Sequence, residues 1–208
     1  MSLRADLEII QQWIRPGSRV LDLGCGEGQL LRHLRDHKDV QGYGLEIDPD
    51  KISSCIRHGV NVMEQNLDES LDNFEDNSFD TVVMTQSLQA MHYPDRVLED
   101  MLRIGHEGIL TFPNFAHWRC RWYLGTKGRM PVSEFMPYTW YNTPNIHFCT
   151  FKDFEQLCRE RGIKFGAGDM DRNLPYYWQA RKLIEEGELG EVCSITFVGG
   201  SGQEVSGG

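Results

Sequence analysis

Two carboxylates and a run of glycines are the residues of this chain best placed to do chemistry. In VLDLGCGEG (Val20–Gly28), Asp22 stands two positions before Gly24, and Gly24, Gly26 and Gly28 alternate with Cys25 and Glu27. The start, VLDL, reads as a short buried strand, and the LLRHLRD that follows reads as an amphipathic helix, so the glycines occupy a strand-to-helix turn. Glycine there permits positive φ and lets another surface approach with no Cβ in the way. Such a turn serves a tight connection in any α/β protein, or a loop that lies against a ligand. Asp22, at the strand end, can order the loop or reach a cationic or amine group. Glu46 closes the second strand in LEID, and in a doubly wound sheet that end faces the same crevice. A carboxylate there accepts both hydroxyls of a ribose, or stands as a solvated strand-end charge. Two acids at one edge disfavour a phosphate-bearing ligand and suit a nucleoside with a cationic centre.

Further polar residues fall on the same rim. Asn66-Leu67-Asp68 follows the third strand: a small polar side chain and a backbone amide can read an adenine edge while Leu67 packs on the ring, or the three make a turn before an acidic loop. Gln86 and Ser87 end the fourth strand and either contact a ligand or cap the strand. Candidate bases are His92 and Tyr93, just past that strand, and His147 in NTPNIHF; a loop histidine near a helix start is the plain alternative. Trp118, Trp122, Trp140 and Tyr141 can shape an acceptor pocket, pack an insertion onto the sheet, or meet a partner protein. Arg119, Arg121, Lys127 and Arg129 interleave with them and suit an anionic substrate or a carboxylate-rich partner surface.

These residues need a scaffold of alternating strands and helices. A helix spans Leu3–Ile14, with Leu7, Ile10 and Ile14 at helical spacing and Pro16-Gly17 as the stop. Strands are expected at Arg19–Leu23, Val40–Ile47, Val60–Met63, Phe79–Thr85 and Gly108–Phe112, with helices from Gln29, Pro49 and Pro94 between them. This rhythm predicts an α/β fold, a doubly wound, mostly parallel sheet with helices on both faces. It breaks after Pro113: residues 114–149 form an aromatic insertion too long for a plain connector. Thr150 and Asp153 then restart a helix with a capping-box pattern. The expected organisation is a domain over 1–170, a C-terminal extension over 171–197 with an amphipathic helix and a short strand (Cys193–Val198), and a Gly/Ser-rich disordered tail over 198–208.

Composition narrows the function classes. The chain has 208 residues, 40% hydrophobic and 25% charged, as in a soluble domain. No apolar run approaches membrane-helix length, and MSLRADLEIIQQW lacks the apolar core of a secretion signal, so the cytoplasm is expected. The six cysteines show no CxxC pair and no zinc spacing, which predicts reduced, packed thiols and no metal site. A net charge of −10 argues against a general grip on nucleic acid.

Taken together, D-x-G-x-G-x-G after strand one, the acid ending strand two and FDTVVMTQSLQAM resemble the class I S-adenosylmethionine-dependent methyltransferases; the G-x-G-x-x-G spacing of nicotinamide Rossmann proteins is absent, position 29 being Gln. VLDLGCGEGQLL, GLEID, SFDTVVMTQSLQAM and WYNTPNIHFCTFKDFEQLC are similar to the MetW family of bacterial methionine-biosynthesis proteins, over roughly Leu7 to Gly168. The resemblance implies S-adenosyl-L-methionine as cofactor. Asp22, Gly24, Gly26 and Gly28 would line its methionine part, Glu46 would hold its ribose, and Asn66 and Leu67 would flank its adenine, with Cys25, Ile47 and Gln86 also among the cofactor-binding residues. It also implies a role in methionine biosynthesis, with a homoserine O-acyltransferase as partner and an unassigned small-molecule acceptor; no nucleic acid or membrane is expected. Methyl transfer is one function class, and cofactor sensing without transfer is the other. The run PYYWQARKLIEEGELGEV (Pro175–Val192) departs from the family, and ARKLIEEGELGEV resembles a segment of Gfo/Idh/MocA-type oxidoreductases, leaving the last edge of the sheet open.

Overall fold

The computed structural model describes residues 3–133, 136–163, 165–166 and 195–199. Strand and helix alternate through α1 (Ala5–Trp13), β1 (Arg19–Leu23), α2 (Gln29–Lys38), β2 (Gln41–Glu46), α3 (Pro49–Arg57), β3 (Asn61–Glu64), β4 (Phe79–Thr85), α4 (Pro94–Ile104) and β5 (Gly105–Thr111). The central strands β1 and β4 are buried nearly end to end, as an apolar run covered on both faces must be. The sheet order is β3-β2-β1-β4-β5-β7-β6. The first five strands run parallel, and β7 (Ile195–Gly199) pairs antiparallel with both β5 and β6 (Phe165–Gly166). One core cluster contains Leu21, Met84, Leu98, Phe112 and Phe154, and the other Ile10, Leu34, Val83 and Ile109. Strand order reverses between β1 and β4, which opens a crevice at their C-terminal ends.

Three elements differ from the sequence reading. β5 begins at Gly105, before the apolar GILTF, because Gly105 ends α4 and enters the strand at once; polar Glu107 is accommodated by the Thr81 hydroxyl, which donates to it at 2.7 Å. The aromatic insertion holds a ten-residue helix, α5 (Trp118–Lys127), that periodicity does not reveal because only Cys120 on it is buried. β7 runs to Gly199, two residues into the segment expected as a tail, and its pairing with β5 places part of the C-terminal extension in the same sheet. The amphipathic helix expected over Pro175–Val192 and the tail beyond 199 lie outside the described residues. α6 (Phe151–Glu160) starts with the expected capping box: the Thr150 amide donates to Asp153 at 2.8 Å, and the Asp153 amide to Thr150 Oγ1 at 3.3 Å. Among the described residues, all five cysteines are free thiols.

Candidate functional site

The glycine turn after β1 is held against β2. The amides of Gly24 and Cys25 donate to the Leu45 carbonyl at 2.8 and 3.0 Å, and Gly24, Gly26 and Gly28 all take left-handed φ values of 75°, 57° and 75°. Their environments differ. A Cβ on Gly24 would lie 2.7 Å from Ser87 Oγ and one on Gly28 3.0 Å from Cys55 Sγ, so these two serve close packing. A Cβ on Gly26 would meet nothing within 4 Å, so this glycine presents bare backbone to open space. Its amide donates to Glu46 Oε2 at 2.9 Å, while Oε1 accepts from Ile47 N (2.9 Å) and Asp48 N (3.1 Å). Three backbone donors thus fix this nearly buried carboxylate, and Oε2 retains acceptor capacity. Ile47, beside it, is 57% exposed and offers an apolar shelf.

Cys25 plays a narrower part than its place in the turn suggests. Its side chain fills the space left by Gly44, where a Cβ would stand 2.4 Å from Cys25 Sγ, and sits 3.9 Å from Cys55 Sγ in the core. Burial pushes the Cys25 thiol well above the usual range, so it remains a neutral packing group and only its backbone belongs to the turn.

Asp22 is 2% exposed, and among the described residues its Oδ1 has no hydrogen-bond partner. Burial pushes its pKa up to about 7; the Arg4 charge pulls it down and Glu46 adds to the rise. Arg4 itself clamps Asp6 through Nε and Nη2 at 2.6 and 2.8 Å, and Gln86 Nε2 donates to Asp6 Oδ2 at 3.4 Å. Arg4 and Asp6 are therefore neighbours of the site that sequence reasoning missed. Their only sequence signal is an Arg-x-Asp spacing at a helix start, which is common.

The opposite rim is built on the end of β4. Gln86 has φ 52°, left-handed for a non-glycine, and its amide donates to the Thr111 carbonyl at 2.9 Å. A short 3-10 turn (Leu88–Ala90) follows, and the Gln89 carbonyl accepts the amides of Ile146 and His147 at 2.9 and 3.0 Å. The insertion is thus docked on the strand's exit, with the His147 side chain exposed. His92 is tied to Asp68, whose carboxylate accepts the His92 amide at 2.7 Å and lies 2.8 Å from ring Nδ1. Burial pushes Asp68 up, but the bonds from His92 and Tyr93 outweigh it and leave its pKa below the ordinary value. Tyr93 is half-exposed under the Arg96 guanidinium, 4.6 Å from the ring centroid.

The segment after β3 is less open than expected. Leu67 belongs to the core, with Cδ1 4.0 Å from a Cβ built on Gly24, and so backs the turn. Asn66 Oδ1 accepts the Asp68 amide at 3.1 Å, which leaves Asn66 at the rim but engaged in its own loop. Among the described residues no helix is long and apolar enough to cross a membrane, and no group of three or more His, Cys, Asp or Glu side chains is arranged to hold a metal ion.

The family described as methionine biosynthesis protein MetW matches residues 4–186. The chain belongs to the MetW family. The match runs past Gly168 and into the Pro175–Val192 stretch that the sequence reading set apart from the family. This MetW-family chain is 37% identical over 173 residues to the bifunctional methionine biosynthesis protein MetXA/MetW of Rhodopirellula baltica, covering 78% of this chain and only 28% of that protein. Two solved structures show the fold. A putative methyltransferase of Haloferax volcanii, in complex with a methyltransferase activator, superimposes with TM-score 0.63 at 18% identity, covering 96% of this chain and 89% of that one. An S-adenosylmethionine-dependent methyltransferase of Thermotoga maritima, described as a possible histamine N-methyltransferase, does so with TM-score 0.56 at 20% identity, covering 77% and 70%. This MetW-family chain thus has a methyltransferase-like, Rossmann-type fold. The crevice presents bare backbone at Gly26, a fixed acceptor at Glu46, an apolar shelf at Ile47 and a buried Asp22 oxygen with no partner among the described residues.

Proposed function

We propose that this MetW-family chain binds S-adenosyl-L-methionine in the crevice at the ends of β1, β2 and β4, and transfers its methyl group to a small molecule in cytoplasmic methionine biosynthesis. The observation that carries this reading is the carboxylate of Glu46, pinned by the Gly26 amide at 2.9 Å beside open backbone. Pre-set acceptors of this kind bind a ribose diol without reorganising. When bound, the cofactor supplies an electrophilic methyl on a cationic sulfur. In this reading Asp22 and the backbone of Gly24, Cys25, Gly26 and Gly28 hold the methionine end, Glu46 and Ile47 the ribose, Asn66 and Leu67 the adenine side, and Gln86 the rim. The unit responsible spans 1–170, and the 114–149 insertion bounds the acceptor side. His92, oriented by Asp68, is better placed to take an acceptor proton than Tyr93; His147 is the other candidate.

A second reading is favoured by the MetXA/MetW relative, in which the matching region is about a quarter of a larger protein. Here the chain is a partner of a homoserine O-acyltransferase, reports S-adenosylmethionine to it, and transfers nothing. Incubation with S-adenosylmethionine and intermediates of methionine synthesis separates the two. Formation of S-adenosylhomocysteine with consumption of an acceptor supports transfer. No product, together with a cofactor-dependent change in acyltransferase turnover, supports the partner role.

A further inference from the structure

α5 is a ten-residue helix with one buried side chain, Cys120. A helix of this length is marginal in water without tertiary packing, and this one carries Gly125 and Thr126 near its end. Yet Trp118 and Trp122, one turn apart on the same face, are 60% and 70% exposed. Besides Cys120, the segments flanking the helix are packed. Phe115, before it, packs on Phe148 with ring centroids 5.1 Å apart, and Met130, after it, lines a small apolar pocket with Phe148 and Trp140.

Charge says what kind of surface would cover it. No acid occurs between residues 108 and 133, whereas Arg119, Arg121, Lys127 and Arg129 all do, in a chain of net charge −10. Among the described residues these cations pair with no carboxylate; Arg119 instead lies over the Trp118 ring at 5.5 Å. Cations beside exposed tryptophans, with no carboxylate partner among the described residues, suit an interface whose other side supplies acids around an apolar seat. A second copy is a poor occupant, because a two-fold contact would bring two cationic, acid-free faces together. Nucleic acid is disfavoured by the acidic remainder of the chain.

We infer that the α5 face, centred on Trp118 and Trp122 and flanked by Arg119 and Arg121, is the docking surface for an acidic-rimmed patch on the homoserine O-acyltransferase; the inference rests on the partner reading above. The two tryptophans are the anchors that exclude water, and the cations steer encounter and set register.

The test is titration of the full chain against the acyltransferase from the same organism, by interferometry at low and high salt. Variants are Trp122→Ala, Trp118→Ala/Trp122→Ala and Arg119→Glu/Arg121→Glu, each checked for native circular dichroism. The expected result is binding by the unmodified chain, weakened at least tenfold by Trp122→Ala and abolished by the double tryptophan variant. The charge reversal should slow association about tenfold and flatten its salt dependence. If the unmodified chain fails to bind, the partner reading falls and this inference with it. If it binds and the variants bind equally, only the docking surface is overturned. The assignment is also overturned if α5 mediates a dimer in light scattering that the tryptophan variants dissolve, or if single-stranded RNA binds there in place of the acyltransferase. Acrylamide quenching that finds both tryptophans shielded in the isolated chain would show that its own residues cover them, with the same consequence.

Discussion

The amide of Gly26 donates to Glu46 Oε2 at 2.9 Å, so the barest point of the turn after β1 and the acid that ends β2 form one rigid edge, though twenty residues separate them in the chain. The edge is set before any ligand arrives. Oε1 is already held by two amides of its own strand end, and the turn is held by the Leu45 carbonyl.

Gly26 and Gly24 should therefore respond differently to alanine. Gly26→Ala meets no atom within 4 Å and should cost only the left-handed strain, about 1–2 kcal/mol, while weakening S-adenosylmethionine binding at least tenfold. Gly24→Ala adds an overlap with Ser87 and should cost about 2–4 kcal/mol of stability. Urea unfolding and calorimetric titration of both variants check this. Loss of stability without loss of binding in Gly26→Ala would remove the open edge as a ligand surface.

The pKa of Asp22 makes a pH prediction with a definite sign. A buried carboxyl raised to about 7 binds more protons in the folded state than the unfolded one between roughly pH 4 and 7, so its burial costs stability as pH rises through that window and costs nothing below it. Asp22→Asn should raise the melting temperature at pH 8 and leave it unchanged near pH 4. A cationic ligand beside Asp22 favours its ionised form, so binding at pH 6 should release protons, read from titrations in buffers of different ionisation enthalpy. A melting curve shifted equally at both pH values would refute the assignment.

Asp68 joins the rim after β3 to the rim after β4 through the His92 amide and ring. Asp68→Ala should cost about 1–2 kcal/mol through lost hydrogen bonds. Because the folded-state pKa of Asp68 is lowered, this contribution is present above the ordinary carboxylate range and is lost as pH falls through the folded value. Melting of wild type and variant from pH 7 down to 3 should therefore converge at the acid end; parallel curves would exclude the latch.

Gly44 makes room for Cys25, and a Cβ there would overlap Sγ at 2.4 Å. Gly44→Ala should destabilise by about 1–3 kcal/mol, and pairing it with Cys25→Ala should recover much of the loss. Denaturant midpoints of the single and double variants give the coupling, and strict additivity would contradict this packing account.

Local pattern made the core of this site legible. The strand, the glycines and the helix after them lie in one continuous stretch, and LEID ends a strand whose neighbour is fixed by the doubly wound rhythm. What was hidden depends on contacts across the chain. Gln86 meets Asp6 across 80 residues, and nothing in the α1 sequence marks Arg4 or Asp6 as neighbours of the crevice. That Leu67 sits in the core and backs the glycine turn is likewise set by contacts across the chain. α5 was invisible because its apolar side chains do not share a buried face.

The most direct measurement is calorimetric titration of S-adenosyl-L-methionine into the chain and into Glu46→Ala. The account predicts saturable one-to-one binding by the unmodified chain and at least a tenfold loss in the variant, with native stability retained to within about 2 kcal/mol. No binding heat at several temperatures would contradict the cofactor assignment, and equal affinity in Glu46→Ala would contradict the role given to the carboxylate on β2.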